Sequence, residues 1–508
     1  MDAFGLRYFA ARDPDAIAVI EQSGPIWSRG ELLALADKTA SALSAAGLEA
    51  GDVIAIVAPN CGEYLAAYFA GIAAGLYVVP VNWHLSPPEV DYVLENSGAK
   101  AIFAHARLGE RRLAPLRAHA ARLNALVAIG SAAGFCELDD FTGAAPRPVA
   151  GAPEGRMLPY TSATTGRPKA VRRALSGAHG ALSKFVAWHL ALGVALERDN
   201  VHLCSSMLYH AAPLEGARVA LEMGHRVVLM DSWEPLALLE IIERQRVTTT
   251  FMTPTMFVRL LKLPNETRAR HSTASLRFVV HGGAPCPEDV KRRMLAWWGP
   301  IIWESYGSTE AQGTIVSAAE WLRRPGTVGK PIAGSRVAIL DEHGHALPAG
   351  DPGLIYLAPY TGERFEYQGD DAKTRACWRG DLVSVGDIGY VDDEGYLFVR
   401  GRASELIISS GMNIYPAEIE QALIAHPAVA DCAVVGAPHE LLGEVPHAIV
   451  QTAPGNEPSA DLSRELLRFL GERVAAMKLP RRIEYRATLP RDPNGKLLRR
   501  ALQTELAP

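Results

Sequence analysis

Residues 53–58 read Val53-Ile-Ala-Ile-Val-Ala58, an unbroken apolar run between Gly51-Asp52 and Pro59-Asn60. A short run bounded by turn residues and rich in β-branched side chains predicts a strand buried on both faces. Apolar residues then recur at helical spacing from about Glu63 to Ala74, and Gly75 supplies a stop. Tyr77-Val-Val-Pro-Val81 opens a second strand, and Ala99-Lys-Ala-Ile-Phe-Ala104 a third. Strand, helix, strand at this interval is the βαβ unit, which builds a parallel sheet covered by helices.

Outward from that unit, residues 106–154 are Ala/Arg-rich and then Gly/Pro-rich, which reads as a helix followed by a loose connector. A second alternating set follows, with strands at 226–230, 248–253 and 277–281 and a helix at 234–245. From about 336 the text turns to short strands with turn signals at Asp341-Glu-His-Gly344 and Asp392-Asp-Glu-Gly395. Beyond a joint near 401–404 come a helix at 416–426, strands at 429–435 and 448–452, and an amphipathic helix at 459–475. The expected fold is α/β. A large N-terminal domain (1–400) of helix-covered, mostly parallel sheets carries a β-rich subdomain, and a small mobile α+β C-terminal domain (401–508) follows.

The chain of 508 residues is long enough for two or more domains, and 48% hydrophobic with 21% charged residues excludes global disorder. A net charge of −5 offers no electrostatic footprint for nucleic acid or an anionic membrane. The six cysteines are scattered, without a CxxC or a metal-spaced His/Cys cluster, as expected of reduced, mostly buried thiols. Met1 to Arg12 lacks a signal pattern and no apolar run reaches the ~18 residues of a membrane span. The expectation is a soluble, cytoplasmic protein.

The chemistry-bearing segment is Tyr160-Thr-Ser-Ala-Thr-Thr-Gly-Arg-Pro-Lys-Ala-Val-Arg-Arg173. It gathers Thr161, Ser162, Thr164 and Thr165 around Gly166, with Lys169 following a proline that forbids immediate helix formation. Hydroxyls, close backbone N–H groups and one cation are what a polyphosphate needs. It is not a Walker A loop, because Pro168 precedes the lysine and Ala170 follows it. No GxGxxG follows a strand, so a nicotinamide enzyme is unsupported. Further along, Ile302-Trp-Glu-Ser-Tyr-Gly-Ser-Thr-Glu310 offers an aromatic to stack on a base and a carboxylate for Mg²⁺. Gly386-Asp387 supplies a carboxylate able to take both ribose hydroxyls, and Gly401-Arg402 a guanidinium for phosphate or ribose oxygens. Pro493-Asn-Gly-Lys496 puts a lysine on a turn near the C-terminus.

This set, in this order, resembles the adenylate-forming superfamily of acyl-CoA synthetases, adenylation domains and luciferases. The resemblance runs from Trp27-Ser-Arg-Gly-Glu-Leu32 through Gly75-Leu-Tyr-Val-Val-Pro80 to Lys496. Gly411-Met-Asn-Ile-Tyr-Pro-Ala-Glu-Ile-Glu420 is similar to the acyl-CoA synthetase branch, and Gly362-Glu-Arg-Phe-Glu-Tyr367 to bacterial fatty-acid and steroid-side-chain ligases. It implies an ATP- and Mg²⁺-dependent, AMP-forming ligase that joins an acid to CoA through an enzyme-bound adenylate. Lys496 would neutralise charge between carboxylate and α-phosphate. Thr161, Ser162, Thr164, Thr165, Gly166 and Lys169 would hold the outer phosphates, with Thr164 and Glu310 at the metal. Thr309 would lie at the α-phosphate, and Ser308 would belong to the nucleotide-binding set. Tyr306 and the Gly282-Gly283-Ala284-Pro285 stretch would embrace adenine, with Gly307 in the same nucleotide-binding set; Asp387 would fix the ribose, Arg402 would bind phosphate or ribose oxygens, and His210 would gate the acid's carboxylate.

Two departures accompany the resemblance. Ala163 and Ala170 stand where relatives carry glycine, which implies a stiffer phosphate loop and weaker ATP binding. Ser404 stands at the hinge, where relatives carry Asp or Lys. These leave other acceptors open: a carrier-protein thiol, an amine, or nitrite activation for diazotising an aromatic amine; a degenerate nucleotide-binding regulator is the non-enzyme alternative. Pocket walls are expected from 205–216, 251–257, 280–284 and 303–312, a mixture that suits an aromatic or medium-chain acid. The expected partners are a small-molecule acid and, beyond it, a carrier protein or a second copy of the chain.

Overall fold

The computed structural model describes residues 4–143, 153–161, 168–175, 186–187, 189–196, 200–359, 362–410, 412–491 and 497–506. They fall into two compact units, Met1–Phe251 with Asn265–Val279 and Glu363–Ala376, and Met252–Pro264 with Val280–Gly362 and Cys377–Pro508.

The first unit is built on the strand that opened the sequence. Val53–Val57 is buried at every position, and its side chains divide between two cores. Ile54 and Ile56 join the cluster containing Tyr64, Leu65 and Tyr68 of helix Gly62–Ala73. Val53, Ala55 and Val57 join another, with Val90 and Leu94 of helix Pro87–Ser97 and Leu113 and Leu116 of helix Glu110–Arg117. This period-two partition is the geometry of a central strand with helices on both faces. Its sheet runs in the order Cys136–Glu137, Ala125–Ile129, Ala101–His105, Val53–Val57, Tyr77–Pro80, Arg156–Met157, with every pairing parallel. A second set runs Thr249–Met252, Val201–Cys204, Arg226–Leu229, Ile17–Glu21, Ile26–Ser28, parallel except for the last pair. A small antiparallel sheet joins Phe365–Tyr367, Lys169–Arg173 and Tyr160–Thr161.

The loose connector expected over 106–154 is wrong in its middle part. Ala125–Ile129 is a strand pairing in parallel with Ala101–His105, and Leu138–Phe141 forms a helical turn. Its five residues are an apolar run between polar Asn124 and Gly130, a strand signal outweighed by the Ala/Arg composition around it. Helices Ala211–Glu222, Pro254–Leu261 and Glu288–Trp298 were also not anticipated.

In the second unit, Ile302–Gly307, Gln312–Val316 and Lys330–Pro331 form antiparallel hairpins. A β-rich layer orders Trp378–Arg379, Leu382–Val383, Gly353–Ala358, Asp387–Val391, Leu397–Arg402, with Arg336–Leu340 also on Gly353–Ala358. Ala403–Glu405 is a single 3₁₀ turn, so the hinge serine Ser404 lies between two strands, Leu397–Arg402 and Ile407–Ser409. Beyond it, Val429–His439 and Gly443–Thr452 pair along their whole lengths. Both strands are longer than expected, and Gly436 and Pro446, beyond the expected ranges, face each other in one ladder. Helices Pro416–Ile424 and Ala460–Gly471 cover this sheet, burying Ile419, Leu423, Leu462, Leu466 and Leu470.

Three of the six cysteines, Cys61, Cys204 and Cys432, are buried, fewer than expected; Cys136 is exposed. Among the described residues no helix is long and apolar enough to cross a membrane.

Candidate functional site

The second unit gathers the residues assigned to the nucleoside. Strand Ile302–Gly307 carries Tyr306 and ends in a turn before Gln312–Val316. Ser308 makes that turn: its N–H donates to Ala311 O at 2.8 Å, and its Oγ accepts from the N–H of Glu310 at 3.2 Å and of Ala311 at 3.3 Å. Thr309 and Glu310 therefore sit at a hairpin tip, with Glu310 buried. Tyr306 Oη donates to Asp387 Oδ2 at 2.7 Å, and burial with the facing carboxylate pushes its phenol well up.

Asp387 begins strand Asp387–Val391 directly opposite Arg402 of Leu397–Arg402, whose Nε lies 3.3 Å from Asp387 Oδ1. The carboxylate is buried, and each oxygen keeps a lone pair beyond these two contacts. The Gly282–Pro285 turn lies against the strand bearing Tyr306. A Cβ on Gly282 would fall 2.7 Å from Ser305 O, so only glycine permits this approach. Gly283 takes φ +79° with open space on its Cβ side, a conformation and a clearance that glycine provides. Gly282, Gly283, Tyr306, Asp387 and Arg402, predicted from separate motifs, thus share one neighbourhood, with Ala284 and Pro285 following in the turn.

The first unit holds the phosphate-segment residues that are described. Tyr160–Thr161 and Lys169–Arg173 are antiparallel strands, with Thr161 opposite Lys169 and Ala170 opposite Tyr160. Residues 162–167, and with them Ser162, Ala163, Thr164, Thr165 and Gly166, lie outside the described residues. Lys169 Nζ is 2.6 Å from Asp370 Oδ2 and lies over the Tyr367 ring at 5.7 Å. The lysine holds the Asp370 carboxyl below its ordinary range. Asp370 was not singled out in the sequence, because nothing local marks a partner two hundred residues away.

The expected effect of Ala170 is corrected. It is a fully buried strand residue packed with Val79 and Leu158, so its methyl fills core rather than the space where phosphates approach. Lys496 lies within 492–496, also outside the described residues.

His210 is the N-cap of helix Ala211–Glu222, at the end of Leu208-Tyr209-His210. Its ring lies 4.5 Å from that of Tyr209, and Tyr209 meets His84 at 6.0 Å and Trp83 at 6.5 Å, both edge-on. Trp83 and His84 stack at 3.6 Å. Burial and the neighbouring Arg112 push the His84 imidazole below its usual value. Trp83 and His84, with Val57, Arg111 and Arg112, border a cavity of about 310 Å³. The sequence reading missed Trp83 and His84, although the Asn82-Trp-His-Leu85 text after a buried strand is where an open α/β sheet places ligands.

The profile of the AMP-binding enzyme family matches residues 6–361, and that of the AMP-binding enzyme C-terminal domain matches 418–496. A feruloyl-CoA synthase from an Amycolatopsis species is 34% identical over 96% of each chain. The fatty acid–[acyl-carrier-protein] ligase ScoC of Streptomyces coeruleorubidus is 32% identical over 98% of this chain and 94% of its own. Among solved structures, ATP-bound MatB from Rhodopseudomonas palustris superposes with a TM-score of 0.84 at 28% identity, covering 99% of both chains. The o-succinylbenzoate CoA synthetase MenE of Bacillus subtilis, solved with its acyl-adenylate, gives 0.82 at 28% identity over 98% of this chain and 97% of its own. Matched from near its start to Lys496 and aligned with these relatives almost end to end, the chain belongs to the AMP-binding enzymes of the adenylate-forming superfamily.

Proposed function

We propose that the protein is an AMP-forming acid–CoA ligase acting on an aromatic or medium-chain carboxylic acid. A carboxylate oxygen attacks the α-phosphorus of ATP, the bond to pyrophosphate breaks, and an acyl-adenylate forms. The thiolate of CoA then attacks the acyl carbon and AMP leaves with the electrons of the C–O bond. Carboxylates are poor electrophiles because the leaving group would be oxide; the mixed anhydride removes that obstacle.

The observation that carries this reading is Asp387, a buried carboxylate oriented by Tyr306 and Arg402, with lone pairs left for the two hydroxyls of a ribose. Tyr306, Gly307 and the Gly282–Pro285 turn form the adenine surface, with Thr309 and Ser308 at the α-phosphate. Thr161, Ser162, Thr164, Thr165, Gly166 and Lys169 hold the outer phosphates, for which Lys169 exchanges Asp370 for phosphate oxygen. Lys496 neutralises charge between the two anions as they react. His210 borders the acid's carboxylate.

Mg²⁺ suits the donor set. Among the described residues no three His, Cys, Asp or Glu side chains gather into a metal cage. Mg²⁺ is typically held by one or two carboxylates plus substrate phosphates, so the buried Glu310, with Thr164, is a sufficient protein share. The ion would supply positive charge to the phosphates.

The small domain from 401 to 508 would carry Lys496 and swing about Ser404 between the two half-reactions. A cytoplasmic location, where ATP and CoA are available, suits this reaction. A second reading replaces CoA with a carrier-protein thiol, which the 32% identity to ScoC favours. The test is a pyrophosphate-release assay over benzoate, ferulate and octanoate, each with CoA, a holo-carrier protein, or nitrite plus an aromatic amine. Acid-dependent release with a CoA thioester as product is expected. Release that needs nitrite and amine, or no release with any acid, would overturn the ligase reading.

A further inference from the structure

Between strand Val53–Val57 and helix Gly62–Ala73 lies Asn60, whose side chain is buried. Its Nδ2 donates to Ser206 O at 3.0 Å and to Met230 O at 2.8 Å, and its Oδ1 accepts from the Leu208 N–H at 2.8 Å. One turn along the helix, the fully buried Tyr64 donates its hydroxyl to Leu208 O at 3.3 Å. Residues 205–209 lie in neither strand nor helix, yet they are buried. Their backbone groups need partners there, and no ladder or helix supplies them. For Leu208, side chains of the Asn60–Tyr64 turn satisfy both the N–H and the carbonyl.

The held residue is followed at once by Tyr209 and His210. Those two rings meet each other and, through Tyr209, Trp83 and His84. Their aim is therefore set by the path of the backbone through Leu208. Asn60 also binds Met230, just past the end of strand Arg226–Leu229, so one amide ties the carboxyl ends of two parallel sheets of the first unit to the His210 segment.

We propose that Asn60, seconded by Tyr64, is a positioning residue for the acid half of the reaction: it sets the path of Ser206–Leu208 and thereby the placement of His210 against the substrate carboxylate. The inference rests on the reading of His210 given above. It assigns to Asn60 no contact with substrate and no influence on the nucleotide.

ATP–pyrophosphate exchange tests it, using whichever of benzoate, ferulate and octanoate the wild-type enzyme turns over. Asn60→Asp keeps size and the acceptor for the Leu208 N–H but loses both donations. It is expected to raise the acid KM about tenfold while the ATP KM stays within about twofold. Tyr64→Phe removes only the hydroxyl and is expected to raise the acid KM about threefold with the fold intact. A merely structural role would lower the melting temperature and the active fraction without splitting the two KM values; that pattern in Asn60→Asp overturns the proposal. If Asn60→Asp does not fold, Tyr64→Phe decides alone, and an unchanged acid KM in it overturns the proposal. His210→Ala separates the two layers. An unchanged acid KM there removes the His210 reading itself, whereas a raised one beside unaffected Asn60 and Tyr64 variants removes only the positioning role.

Discussion

Lys169 and Ala170 are adjacent in the chain and have opposite fates. The strand they share turns the ammonium toward Asp370 and the methyl into the core. Replacing Ala170 by Gly adds backbone entropy to the unfolded state and removes a buried methyl, so it should destabilise the protein by about 1 kcal/mol. A urea midpoint that falls while the ATP KM stays unchanged is the expected result; a lowered ATP KM would return Ala170 to the phosphate site. For Lys496, replacement by Ala should abolish adenylate formation while ATP still binds. ATP–pyrophosphate exchange beside a nucleotide-binding titration checks this, and exchange near the wild-type rate would remove the lysine from its assigned role. At this scale the residue types were legible: hydroxyls, a carboxylate and cations at motif positions announce phosphate and ribose chemistry. Their partners were not. Tyr306 to Asp387 and Lys169 to Asp370 are contacts across 81 and 201 residues, and no local pattern encodes such separations.

Strand Ile302–Gly307, which presents Tyr306, is pinned to helix Glu288–Trp298 by a buried ion pair. Lys291 Nζ meets Glu304 Oε2 at 2.5 Å, and His281 Nε2 lies 3.6 Å from the same oxygen. Burial pushes both members of the pair toward neutrality, the lysine down and the glutamate up. Lys291→Met strands Glu304 and should cost about 3–5 kcal/mol, whereas adding Glu304→Leu should recover most of that loss. Chemical denaturation of the single and double variants reads the difference; equal losses would mean the pair's geometry contributes nothing. Histidines of the first unit set a pH dependence. Burial depresses His202 to about 3 and His225 to about 4, from an ordinary 6.5. Between those values the unfolded chain binds protons that the folded one refuses, so stability should be flat above pH 6.5 and fall as pH drops toward 4. Denaturant midpoints across that window test it, and His202→Gln should flatten the slope. The elements themselves were legible where period and punctuation agreed, as at Val53–Val57 and Ala460–Gly471. The Ala125–Ile129 strand and the full length of Val429–His439 were not, because pairing with a neighbour outweighs local composition.

For the molecule as a whole, the two half-reactions can be separated by withholding one substrate. Without CoA, the enzyme should release pyrophosphate in an amount close to that of the enzyme and then stop, with adenylate retained. Quantifying pyrophosphate against enzyme sites checks this, and full multiple turnover without CoA would sink the CoA-ligase reading. The order of motifs along the chain determined the α/β class, the succession of a large and a small domain and the adenylate-forming chemistry, because these depend on residue types and on periodicities of two and 3.6 that are local properties. Only the tertiary structure decided that Tyr160–Thr161 and Lys169–Arg173 pair as antiparallel strands with Lys169 held by Asp370, that Asp387 is oriented by Tyr306 and Arg402, and that one buried amide holds the backbone before His210. Each of these is a contact between residues remote in sequence, formed because buried polar groups must find partners wherever the fold brings them.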